Sequence, residues 1–228
     1  MDIEVVFFDL FFTLIKPAYE GKEEDNEYYD LNLSREEWEE IVEDEELYLE
    51  RALGKIGDPI TIIREVLEKY NIEKDEFLIN RIAEKRVKRF EKFLREVDRN
   101  IIETLDYLSE KGVRMCLISN ADVIDKIGWD SSPLNRFFEN TIFSCDVGVL
   151  KPDKEIYEIG LKKMRVVAEN AVFVGDGGSG ELQGAREVGL KTILVTHYLG
   201  AIRNERIKNN REYADIVVDR FEDIIKYI

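Results

Sequence analysis

Asp9 closes the run Val5-Val6-Phe7-Phe8, and Asp176 closes Ala171-Val172-Phe173-Val174-Gly175. Between them, a third apolar run ends in Ser119-Asn120, and Lys151 follows a fourth near Thr141 to Ser144. One polar residue at a strand exit is usually a turn former. Four such exits, each with a group that can attack, bind or donate, make a chemical set. Two carboxylates brought together repel and drive one pKa upward. A divalent cation removes that conflict, and Mg2+ suits oxygen ligands from one or two carboxylates while keeping several waters. Lys151 adds positive charge and Ser119 a hydroxyl donor. Together these are the parts of a phosphoryl site, where transfer depends mostly on positioning and electrostatics.

The elements that must position these residues are readable from pattern. Short apolar runs rich in β-branched and aromatic residues predict strands at Ile3 to Phe8, Val113 to Ile118, Ala171 to Val174, Lys191 to Val195 and Asp215 to Val218. Helical periodicity lies between them. Asn100 to Lys111 places Ile101, Leu105 and Leu108 on one face before Gly112. Pro152 to Met164 starts with proline at a first-turn position, and Glu181 to Val188 stops at Gly189. Strands alternating with helices imply an α/β fold with a Rossmann-like parallel sheet, and ligands of such sheets bind at the carboxyl ends of the strands.

The alternation breaks from about Lys16 to Val97. Ser34-Arg35-Glu36-Glu37 is a capping box that opens a helix with Trp38, Ile41, Val42 and Leu49 inward. Asp58-Pro59 starts a second helix, and Phe77 to Val97 reads as a third. The acidic clusters, including Glu43 to Glu46, read as solvated helix faces. Residues 16–97 are thus expected to form an all-helical insert, with 1–15 and 98–228 forming the α/β core.

Composition narrows the chemistry. The 228 residues carry a formal net charge of −16, which argues against nucleic acid and anionic membrane surfaces as partners. The acidic start Met1-Asp2-Ile3-Glu4 does not resemble a secretory signal, and no stretch is long and apolar enough to span a bilayer. Cys116 and Cys145 read as reduced structural thiols, so a cytoplasmic protein is expected, monomeric or homodimeric. One histidine, His197, excludes a two-histidine zinc site and is expected to lie at the surface or cap an element. Trp38 and Trp129 are expected to pack, and Arg203 and Arg206 are assigned no role.

Val5 to Leu14, Leu117-Ile118-Ser119-Asn120, Lys151-Pro152-Asp153 and Val174 to Glu181 resemble, in order, the four motifs of the haloacid dehalogenase-like hydrolases. The helical insert resembles that superfamily's common helical cap. The resemblance covers nearly the whole chain. It implies a Mg2+-dependent hydrolase, expected to be a phosphohydrolase acting on a small anionic, phosphorylated metabolite. Asp9 would attack phosphorus and form an aspartyl-phosphate. The carboxylates of Asp9 and Asp176 and the Phe11 carbonyl would bind Mg2+. Thr13, Ser119 and Lys151 would hold phosphoryl oxygens or orient Asp9; Asn120 would support the second motif, and Glu181 would align Lys151 or a metal-bound water.

Two positions depart from the pattern. The superfamily's phosphatases carry an aspartate two residues after the nucleophile, the general acid for the leaving group; here it is Phe11. The usual glycine of the first motif is Phe12. Related dehalogenases carry a non-acidic aromatic at the Phe11 position, but they lack the Gly-Asp of the fourth motif. A haloacid dehalogenase is therefore an alternative, needing an anion-binding arginine such as Arg51, Arg64 or Arg81. A catalytically weak binding or regulatory relative is another. Gly175-x-Gly177-x-x-Gly180 also fits a dinucleotide fingerprint, but it falls late in the chain, and the next strand ends at Thr196-His197 without a ribose-binding acid.

Overall fold

The computed structural model describes residues 3–19 and 21–228; the acidic start at Met1-Asp2 lies outside them. Six strands form one sheet in the order β3-β2-β1-β4-β5-β6, every neighbouring pair parallel. They are β1 (Val5–Phe8), β2 (Arg114–Ser119), β3 (Asn140–Phe143), β4 (Ala171–Gly175), β5 (Lys191–Val195) and β6 (Ile216–Val218). The first three strands step outward in one direction and the last three in the other. The order therefore reverses between β1 and β4, where doubly wound sheets leave a crevice.

Successive side chains of a strand face opposite sides of a sheet. Val5 and Phe7 accordingly join one core with Cys116, Ile118 and Phe173, while Val6 and Phe8 join another with Leu117 and Val174. All four β1 residues are fully buried, which is why β1 reads as continuously apolar.

Between β1 and β2 the chain is helical: α1 (Glu27–Leu31), α2 (Arg35–Val42), α3 (Glu45–Ala52), α4 (Pro59–Lys69) and α5 (Glu76–Arg95), followed by α6 (Arg99–Glu110). The expected capping box is present, with Ser34 and Glu37 bonding each other's backbone N–H. Asp58 caps α4 through the Thr61 N–H, with Pro59 at its first position. Trp38, Val42, Ile63, Val66 and Ile82 bury together as the cap's own core. Phe90, Phe93 and Leu94 of α5 instead pack with Leu10 and Leu14, joining the cap to the sheet.

The helices after β3 are α7 (Ser144–Val147), α8 (Lys154–Met164), α9 (Glu181–Glu187) and α10 (Arg203–Asn210). Two local expectations are corrected. The helix from Ser34 breaks at Glu43 and restarts with Asp44 as a new N-cap, so Leu49 follows a different phase and is exposed. Pro152 precedes α8 rather than opening it; Asp153 holds the cap position, and the Lys151–Pro152 peptide is cis. Both tryptophans are buried, and neither cysteine is disulfide-bonded. His197 is half-buried between the Tyr198 and Phe221 rings, and burial pushes its pKa down to about 4. Among the described residues no helix is long and apolar enough to cross a membrane.

Candidate active site

Asp9 leaves the carboxyl end of β1 with its N–H donating to the Val174 carbonyl of β4 at 3.0 Å. Its side chain is buried and both oxygens are engaged: Oδ2 accepts from the Thr13 hydroxyl at 3.0 Å, and Oδ1 lies 2.5 Å from Lys151 Nζ. Lys151 Nζ also reaches Glu181 Oε2 at 2.6 Å, and Glu181 Oε1 accepts from the Gly177 N–H at 2.9 Å. Burial alone would lower the Lys151 pKa. The carboxylates of Asp9 and Glu181 outweigh it and hold the ammonium well above the usual lysine range.

The backbone around Lys151 is held by Asn120. Lys151 N–H donates to Asn120 Oδ1 at 2.8 Å, and Asn120 Nδ2 donates to the Lys151 carbonyl at 3.0 Å. Gly175 is needed for close approach, because a Cβ there would sit 2.1 Å from Glu181 Oε1. Gly177 lies in the left-handed region at φ +80° and packs against the Asn210 amide. Gly175 and Gly177 of the dinucleotide-like fingerprint thus serve tight packing around Glu181 and Asn210.

Asp176 completes the group. Its Oδ1 accepts from Gly178 N–H at 3.1 Å, and its Oδ2 pairs with Arg206 Nη1 at 2.9 Å. Asp9, Asp176 and Glu181 each offer a carboxylate oxygen, and these oxygens lie within 4.8 Å of one another. Burial, then the charge of Asp9, raises the pKa of both Asp176 and Glu181. Three buried carboxylates against Lys151 and Arg206 leave negative charge uncompensated. A hard divalent cation would remove it, so the donor set fits Mg2+. Every oxygen of the three carboxylates has a protein partner, so a cation here would share or displace one of those contacts.

A cavity of about 710 Å3 opens from these groups to the cap. Phe11 lines it, its ring edge-to-face with Phe90 at 6.1 Å and 76°. Phe12 also lines it and takes φ +58°, the left-handed conformation that a glycine adopts without strain. Ser119 differs from the expected phosphoryl contact: it is fully buried, and its hydroxyl donates to the Asn120 carbonyl at 3.3 Å.

Several cavity residues were not found by sequence reasoning. Arg206, assigned no role, sits on Asp176. Glu43, read as a solvated face, lines the cavity and accepts from Arg86 at 3.2 Å. Arg86 and Arg89 also line it; they lie one turn apart on the α5 face that carries Phe90 and Phe93, a basic pair inside an apolar stripe that was a usable signal. Asp122 and Asp125 follow the β2 exit directly. Asp122 pairs with Arg51 at 2.8 Å, both fully buried. Asp125 lines the cavity, and burial, then the charge of Asp122, pushes its pKa up to about 7. Of the three arginines considered for a haloacid, Arg51 is held by Asp122, Arg64 by Glu76 at 2.8 Å and Arg81 by Asp30 at 3.2 Å.

A reversing parallel sheet, a helical cap and carboxylates gathered at the strand exits define a capped α/β hydrolase. The model of the haloacid dehalogenase-like hydrolases matches residues 3–189, and the chain belongs to that family. It is 32% identical over 114 residues to bifunctional epoxide hydrolase 2 of Mus musculus, covering 48% of this chain and 20% of that protein. It is 31% identical over 123 residues to glyceraldehyde 3-phosphate phosphatase of Methanothermobacter thermautotrophicus, covering 53% of this chain and 54% of that protein. The matched segment thus spans about half or less of these relatives' lengths. Among solved structures, the magnesium complex of a family enzyme from Bacteroides thetaiotaomicron superposes with a TM-score of 0.64 at 19% identity, covering 85% of this chain and 93% of that one.

Proposed function

We propose that the protein is a Mg2+-dependent phosphohydrolase acting on a small phosphorylated metabolite, with Asp9 as its nucleophile. The observation that carries this reading is the buried Asp9–Lys151–Glu181 chain beside Asp176. Thr13 and Lys151 hold Asp9 in one orientation, and Lys151 brings a fixed positive charge to the phosphoryl oxygens. Asp9 attacks phosphorus, the bond to the leaving oxygen breaks, and that oxygen departs with the electron pair. Water then attacks phosphorus in the aspartyl-phosphate, releasing phosphate and restoring Asp9. Mg2+, held by Asp9, Asp176 and the Phe11 carbonyl, would stabilise charge on the phosphoryl group. Likeness to a phosphatase of a three-carbon phosphate and to a magnesium-bound family structure supports both halves of the reading.

Phe11 sets the substrate's leaving group. A phenyl ring gives no proton to a departing oxygen, and losing a general acid costs about 10^2–10^4-fold. The enzyme therefore favours leaving groups that depart as stable anions, as in aryl or acyl phosphates. The test is hydrolysis of para-nitrophenyl phosphate with Mg2+, compared with Asp9→Asn and with chelator. Activity that both controls abolish is the expected result. An inert parent protein would overturn the phosphatase reading and turn attention to 2-haloacids, the reading that the aromatic Phe11 otherwise favours, or to a binding role.

A further inference from the structure

Arg206 stands on a carboxylate that the cation reading needs. It belongs to α10, lines the same cavity as Asp9, and pairs with Asp176 Oδ2 at 2.9 Å. Its position is built rather than incidental. Asn210, one turn on, donates to the carbonyls of Arg206 and Gly177 at 3.0 and 3.1 Å, tying α10 to the loop that carries Asp176. A Cβ on Gly178 would lie 2.9 Å from Arg206 Nη1, so glycine leaves the guanidinium its room. The other Asp176 oxygen accepts from Gly178 N–H. Both oxygens thus have protein partners, and a cation entering the Asp9–Asp176–Glu181 group must share or take one. The guanidinium cannot shed its proton, so it meets that cation as a like charge.

We propose that Arg206 is a resident counter-ion that competes with the divalent cation for Asp176 and so weakens cation binding. This rests on the cation reading of the site. The alternative role, a support that holds Asp176 ready for metal, has the opposite sign, since removing such a partner typically weakens metal affinity about 10–100-fold.

The experiment is calorimetric titration of Mg2+ into the full chain without substrate, for the parent, Arg206→Gln, Arg206→Lys and Asp176→Asn. Arg206→Gln should bind Mg2+ about tenfold tighter, matching in reverse the scale of such partners. Arg206→Lys, which keeps the charge, should stay close to the parent, and Asp176→Asn should lose binding. Without Mg2+, Arg206→Gln should melt below the parent, and added Mg2+ should raise its melting temperature more. If Arg206→Gln does not melt cooperatively, Asn210→Ala, which loosens α10 without touching the carboxylates, carries the same expected tightening. Unchanged or weaker binding in the neutral variant overturns the competition while leaving the cation site intact. Absence of Mg2+ binding in parent and variants alike overturns both readings.

Discussion

Replacing Phe11 by aspartate puts the substrate argument to its hardest test. The Phe11 side chain is half-buried and meets Phe90 edge-to-face at 6.1 Å, so its loss removes part of an apolar burial and one aromatic pair. That costs about 1–3 kcal/mol, or roughly 2–12 °C in melting temperature for a chain of this size. The new carboxyl enters a cavity that Asp9 and Asp176 already line. Their charges and the partial burial raise its pKa, against the pull of Arg86 and Arg89 on the same cavity, and the protonated fraction is the form that acts as general acid. Aryl phosphate hydrolysis should change little, because that leaving group needs no proton. Alkyl phosphate hydrolysis should rise by about 10^2–10^4 in kcat/KM, the usual worth of a general acid. The assay is the ratio of the two kcat/KM values in parent and variant, with melting curves run alongside. A parent that already hydrolyses both classes equally, or a folded variant whose ratio stays put, would refute the argument.

Two further outcomes follow from buried charge. Lys151→Met leaves Asp9 and Glu181 facing each other without their shared cation; it should destabilise by about 3–5 kcal/mol, and saturating Mg2+ should narrow the deficit. Thermal unfolding with and without Mg2+ measures this, and a melting temperature within about 2 °C of the parent would contradict it. Asp125, with its pKa pushed up to about 7 by burial and Asp122, keeps its proton in the folded state at pH values where the unfolded chain has lost it. The stability of the protonated form is complete below the unfolded pKa and lost as pH rises toward about 7. Asp125→Asn cannot ionise and still accepts from the Asp122 N–H, so it should exceed the parent by roughly 1–4 kcal/mol at pH 8 and by less at pH 5. Urea unfolding at the two pH values decides it; an equal gap at both would exclude Asp125 as the titrating group.

The sheet was legible because parallel strands buried on both faces read as unbroken apolar runs that stop at a polar residue. Lys191–Val195 is a strand over the same residues that the pattern predicts. The break into helix was legible because Ser34 and Asp58 carry capping chemistry within four residues of apolar helical faces. The phase slip at Glu43 was not, since a single acidic run covers both the end of α2 and the cap of α3. The strand exits pointed to Asp9, Ser119, Asn120, Lys151 and Asp176, because residues at the exits of adjacent parallel strands share one edge of the sheet; Thr13 and Glu181 came from the resemblance of the motifs. Which partner each would take was beyond it. Arg206 sits in an ordinary polar stretch, and its partner Asp176 lies 30 positions away; Asp125 has Asp122 close by in the chain, but the Arg86 and Glu43 charges that act on it come from the cap. Only packing brings α10 over the Asp176 loop and α5 against the β2 exit. Periodicity reports which face of an element is buried; the charges that meet there depend on how separate elements are docked, and that is set by the tertiary structure alone.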